Sequence, residues 1–129
     1  MKTVNVTKLP IHTKKMTLAG LILDTKKGRI DGFTKGLNLK SAPNKGYMVG
    51  TGLSEFNAKD LNFSEIELKV SDIVDKYSEN MFLGAWNYKG DTVVELSVCF
   101  NTLDEAIAQG LRSNQIAIWD LKNNKEIKL

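Results

Sequence analysis

The sequence holds one histidine, one cysteine, two prolines and two arginines in 129 residues. Each scarcity excludes some chemistry. With His12 alone, a cluster of histidine metal ligands cannot form within one chain. Ser/His/Asp catalysis would have to use His12, which precedes the cationic "TKK" in a stretch that reads as loop. Cys99 alone makes no internal disulfide, which fits a reducing cytosol. Its place in the apolar run "VELSVCF" suits a buried, inert thiol. No HExxH, CxxC or EF-hand pattern occurs, and nothing singles out a catalytic pair among the acids. The three glycines of "GYMVGTG" match neither GxGxxG nor a P-loop; Gly50 and Gly52 bend a sheet or bring the backbone close to another group. No apolar run approaches the roughly 18 residues of a membrane span. "MKTVNVTKLPIHTKK" lacks the apolar centre of a signal peptide. The expectation is a non-enzymatic cytoplasmic chain without metal or cofactor.

What is present bounds the fold. One domain, residues 1–129, is expected from the length. Hydrophobic residues make up 42% and charged ones 26%, enough to build a core without a disulfide or metal staple. The net charge of +3 falls short of the clustered Lys/Arg surface that duplex nucleic acid requires.

Along the chain, "TVNVTKL" alternates as a short strand ended by Pro10. "MTLAGLILD" (Met16 to Asp24) reads as a longer strand, and "TKKG" as its turn. "RIDGFTKGLNL" (Arg29 to Leu39) then returns as its antiparallel partner, with Gly32 and Gly36 weakening it or marking bulges. "YMVGTGL" is another strand. In "SEIELKV", Ile66, Leu68 and Val70 alternate with charges, which favours a strand. "SDIVDKYSEN" switches to a short helix capped by Ser71 or Asp72. "MFLGAWNY" and "TVVELSVCF" flank "KGD" as a hairpin turning at Gly90. "TLDE" matches a capping box, and Leu103, Ala106, Ile107 and Leu111 form one buried helical stripe. "IAIWDL" and "KNNKEIKL" add two strands around a turn. The absence of βαβ alternation gives an α+β fold, a mostly antiparallel β-sheet with two short helices packed on one face.

The arginines carry the functional argument. Sixteen lysines stand against Arg29 and Arg112. A codon bias toward lysine explains the ratio, and under such a bias a surviving arginine can be one that lysine does not replace. Only the guanidinium offers a planar fork that grips phosphate bidentately and stacks on purines. Arg112, in the last turn of the capped helix, also complements the helix dipole, so both roles suit it. Phe82, Trp86, Tyr88, Phe100 and Trp119 could form a stacking wall or simply fill the core. Asn87, Asn101 and Asn114 could read a base edge or serve turns and caps.

Three stretches, "VNVTKLPIHTKKMTLAG", "DTKKGRI" and "FNTLDEAIAQGLRSNQIAIWDLKNNKEI", resemble the phage Thoeris anti-defence proteins of the first type. The resemblance covers most of the chain. It implies a sponge that binds cyclic ADP-ribose isomers, and in some members cyclic trinucleotides, without cleaving them. It also implies a homo-oligomer, dimer or hexamer, working in the host cytoplasm with ligand pockets between protomers. The family's arginine pair, one after an early strand and one near the C-terminal helix, corresponds to Arg29 and Arg112. Its aromatic and asparagine around the smaller ligand correspond to choices among Phe82, Trp86, Phe100 and Asn101. Two alternatives stay open: a small phage protein that inhibits a host protein through exposed Trp86 and Trp119, and a single-strand nucleic-acid binder.

Overall fold

The apolar run at Met16–Asp24 is helical. In a computed structural model, which describes residues 10–129, helix α1 spans Ile11–Lys26. The strand expected over residues 3–9 lies outside the described residues. Leu18, Ile22 and Thr25 are fully buried, and their spacing of four and three is helical. Half-exposed Leu21 and Leu23 blur that stripe and mimic alternation. "TKKGRI" is the end of this helix and not a hairpin turn. Gly28 takes φ +72°, its N–H donates to Thr25 O at 3.0 Å, and the Arg29 N–H donates to Asp24 O at 2.9 Å. Those two bonds are the Schellman stop, which uses the same Lys-Lys-Gly chemistry as a β-turn. His12 accordingly sits in the first turn of α1, not in a loop.

"SEIELKV" is also helical. Helix α2 covers Phe63–Lys76 and absorbs the expected short helix, so Ser71 and Asp72 are interior residues and not caps. The cap is Asn62, whose side chain accepts from the Glu65 N–H at 2.9 Å while Glu65 Oε1 accepts from the Asn62 N–H. Ile66, Val70 and Ile73 are buried at spacings of four and three, whereas Leu68 is 68% exposed. Period 2 and period 3.6 share the pair Ile66/Val70, and the cap decides between them.

The remaining elements are β1 (Gly32–Gly36), β2 (Tyr47–Gly50), β3 (Phe56–Asn57), β4 (Phe82–Tyr88), β5 (Asp91–Phe100), α3 (Leu103–Arg112), β6 (Ala117–Asp120) and β7 (Lys125–Lys128). The strands form one antiparallel sheet in the order β1-β4-β5-β2-β6-β7, with β3 alongside β5. The class is therefore α+β, with three helices where two were expected. The partner of β1 is β4, without a bulge, because the segment expected to pair with it is α1. The hairpin at Gly90 is as expected: Tyr88 pairs with Asp91 across Lys89 and Gly90, both at positive φ.

All three helices lie on one side of the sheet. On β5, Val94 and Leu96 face α1 and α2 in a core with Leu18, Ile22, Ile66 and Leu83. Toward the other end, Val49 and Ile118 meet Ala106 of α3. The expected α3 stripe is only half right. Ala106 is buried and Ile107 partly so, but Leu103 and Leu111 are 37% and 62% exposed, and buried Gly110 takes the contact instead. Its hydrogen lies against Leu129 and Ile118, which lets the helix approach the sheet closely. Thr102 caps α3, accepting from the Glu105 N–H at 3.3 Å.

At the rims, β7 is the charged segment "KEIK", and β1 is overlaid by the chain returning through Ser41, which bridges to Lys35. No helix among the described residues is long and apolar enough to cross a membrane.

Candidate functional site

The six residues singled out from the sequence fall in four places. Arg29 leaves the end of α1 and pairs with Asp24 at 3.0 Å. Arg112 ends α3 and is exposed, with no salt bridge among the described residues. Phe82 and Trp86 share the sheet face turned away from the helices. Phe100 is packed with Tyr47 and Ile107 in the smaller core, and Asn101 follows it in the loop before α3. Arg29 lies three residues before Gly32, which pairs with Trp86 toward the hairpin end of β4. Asn101 follows the other end of β5, nine steps of about 3.3 Å from that strand's start. One protomer therefore does not unite these six around a single ligand. Asn87 is structural: its Nδ2 donates to Thr25 O and its Oδ1 accepts from Thr92 Oγ1, each at 2.7 Å, tying the hairpin to α1.

Asn101 does line a cavity of about 400 Å³, together with Lys45, Gly46, Tyr47, Asp120, Lys122 and Asn123. The chain reaches it by three short turns. Gly46, at φ +97°, immediately precedes β2, and its carbonyl accepts from the Leu121 N–H at 2.9 Å. Asp120 ends β6 and is 4% exposed. Asn123 holds its carboxylate through both the side-chain amide (2.8 Å) and the backbone N–H (3.2 Å). Those bonds, with Lys125 nearby, pull the Asp120 carboxyl below the usual range, so it stays ionised at neutral pH. The cavity thus combines two exposed ammonium groups, a fixed carboxylate, a primary amide and a phenol. Sequence reading missed Lys45 and Lys122 because each stands in an ordinary turn. Only the pairing of β2 with both β5 and β6 brings the two turns together.

The open sheet face holds a second feature. Met48, Phe82, Trp86, Val93 and Trp119 alternate outward from four strands, and the two indoles are 40% and 41% exposed. Amid them stands Glu95, directly across from Gly84 and diagonal to Gly50. Burial pushes its carboxyl up from the ordinary value, and neighbouring Glu55 adds to this, against a weak lowering by Ser97. The folded protein holds this proton more tightly than the unfolded chain. That contribution is complete below the ordinary glutamate range and is lost as pH rises through the raised value. Glu95→Gln is therefore expected to raise the melting temperature by a few degrees at pH 7, and the gain should vanish near pH 4, about the pKa of free glutamate. Paired melts of the two proteins across that range check it.

Cys99, half-buried beside Gly46, has its thiol pushed up by burial. That weakens it as a nucleophile at neutral pH.

Comparison with family models, with curated proteins and with solved structures returns no match to this chain.

Proposed function

We propose that this protein is a non-enzymatic sponge that binds cyclic ADP-ribose-type immune signals in the host cytoplasm and holds them uncleaved, as a homo-oligomer. The observation that carries the reading is the cavity around Asn101. A nucleotide ring offers each of its groups a partner. Phosphates suit Lys45 and Lys122, a ribose hydroxyl or exocyclic amine suits the Asp120 carboxylate, and Asn101 can meet a base edge. The volume is within the range of small-ligand sites. Cyclic trinucleotides, the second ligand class, would be gripped by Arg29 and Arg112. Because these stand at separate corners, their clasp needs two protomers.

The test is a thermal shift with cyclic ADP-ribose isomers, followed by release of the ligand from the heated protein. Intact ligand is the expected product, and hydrolysed ligand would mark an enzyme. Lys45→Ala with Lys122→Ala should cost two charge-assisted contacts, or roughly 100-fold in affinity measured by calorimetry. Unchanged affinity in that double variant would remove the cavity from consideration. Arg29→Ala with Arg112→Ala should spare the cyclic ADP-ribose isomers and abolish cyclic trinucleotide retention.

The exposure of Trp86 and Trp119 on one face favours a second reading, inhibition of a host protein by direct contact. Capture of one host protein, with no thermal shift from any nucleotide, would decide for it. Absence of oligonucleotide binding at low salt would dispose of the single-strand reading.

A further inference from the structure

The open face contains a small cavity of about 170 Å³ whose polar walls are set for a donor and not for phosphate. Gly50 forms its floor. A Cβ at Gly50 would collide with Glu95 Oε1 and come within 2.8 Å of Gln115 Oε1, so both oxygens are poised over the same point of the backbone. Gln115 turns its other end away: Nε2 donates to Ser113 O at 3.4 Å, which aims Oε1 into the cavity. Ser97, 8% exposed, spends its hydroxyl on Glu95 Oε1 at 3.4 Å. Trp119 lines one side, and Glu126 stands directly across from it on β7.

Apart from the long Ser97 bond, no donor among the described residues is bonded to either of these two neighbouring acceptors, an unfavourable arrangement in a partly dry site. Glu95 makes no salt bridge among the described residues. A glutamine there would relieve the cost of the buried carboxylate. Keeping an acid whose burial works against it is the pattern of a site shaped for binding at the expense of stability. The flanking glycines, Gly50 and Gly84, leave the carboxylate approachable along the sheet. An indole at the rim adds a neutral π face that attracts cations. No group of three or more acids, cysteines or histidines among the described residues could hold a metal ion, which turns attention to organic cations.

We propose that this cavity, floored by Gly50 and walled by Glu95, Gln115 and Trp119, binds the alkylguanidinium or alkylammonium head group of a small molecule. The head donates N–H bonds to Glu95 and Gln115 and lies against the Trp119 ring. The site is independent of the nucleotide cavity and of the function proposed for it.

The experiment uses agmatine as the cation and butylurea as its uncharged counterpart. A Trp86→Phe background leaves Trp119 as the only indole. Agmatine should change Trp119 fluorescence saturably, and butylurea should not. Glu95→Gln, which is expected to fold at least as well, should weaken agmatine at least tenfold. Gln115→Leu should weaken it several-fold while keeping the charge. Gly50→Ala should displace the carboxylate and weaken it comparably to Glu95→Gln. No saturable response at millimolar agmatine overturns the proposal, as does a response that Glu95→Gln retains. If Glu95→Gln shifts only the self-association measured by sedimentation, the acids serve a protein side chain, and the small-molecule site is refuted.

Discussion

Leu96→Ala should lower the unfolding free energy by about 3 kcal/mol, within the usual 2–5 kcal/mol of buried leucine truncations. Leu96 is 1% exposed on the central strand β5, opposite Leu83, under the packed pair α1 and α2. Strands on both sides and helices above restrict collapse into the vacated space, so the cavity persists and its cost adds to the lost transfer energy. Against a total of about 5–15 kcal/mol, this is a large fraction. Urea titration should show a lower midpoint with an unchanged slope. Leu111→Ala is the control. At 62% exposed it should change stability by under about 0.5 kcal/mol. The pair separates the observed burial of α3 from the stripe that its sequence spacing suggests.

Gly46→Val should cost roughly 3 kcal/mol and also block the cavity proposed to take the nucleotide. Gly46 holds φ +97°, which a β-branched residue adopts only with strain of about 1–3 kcal/mol. A Cβ there would sit 2.8 Å from the Phe100 carbonyl and 3.1 Å from Cys99 Sγ. The carbonyl belongs to the β2–β5 ladder and cannot swing aside without breaking it. The midpoint of urea unfolding reads the first effect, and loss of cyclic ADP-ribose binding at a temperature where the variant is folded reads the second. Gly20→Ala gives the contrasting result. Nothing lies within 4 Å of a Cβ there and the position is helical, so a gain of about 0.5–1 kcal/mol is expected.

Where the sequence misleads, the reason is local and specific. The α+β class, the β4–β5 hairpin and the capped α3 are legible because each has a signal of its own: alternation around Lys89-Gly90, and Thr102 three residues before Glu105. Helix α1 is misread because Leu21 and Leu23 flank Ile22 and blur its spacing from Leu18, and because a Schellman glycine and a turn glycine look alike. Helix α2 is misread because Leu68 is apolar yet exposed. The discriminating signal, Asn62 with Glu65, was in the chain. For the candidate sites the limit is different. Lys45 and Lys122, or Glu95 and Gln115, are far apart in sequence and gain meaning only through pairings that cross the sheet. Neither burial of an acid nor the orientation of an amide can be read from a list of residues.

The two rims of the sheet bear on how copies of this chain can join. Among the described residues, a lysine-bearing terminal strand on one side and a folded-back segment bridged at Lys35 on the other make both rims poor templates for another strand. Stacking copies by ladder growth, the route to open-ended fibres, is disfavoured at both borders. Contact of surface against surface, where symmetry can close an assembly after a fixed number of subunits, is the route that this arrangement leaves open.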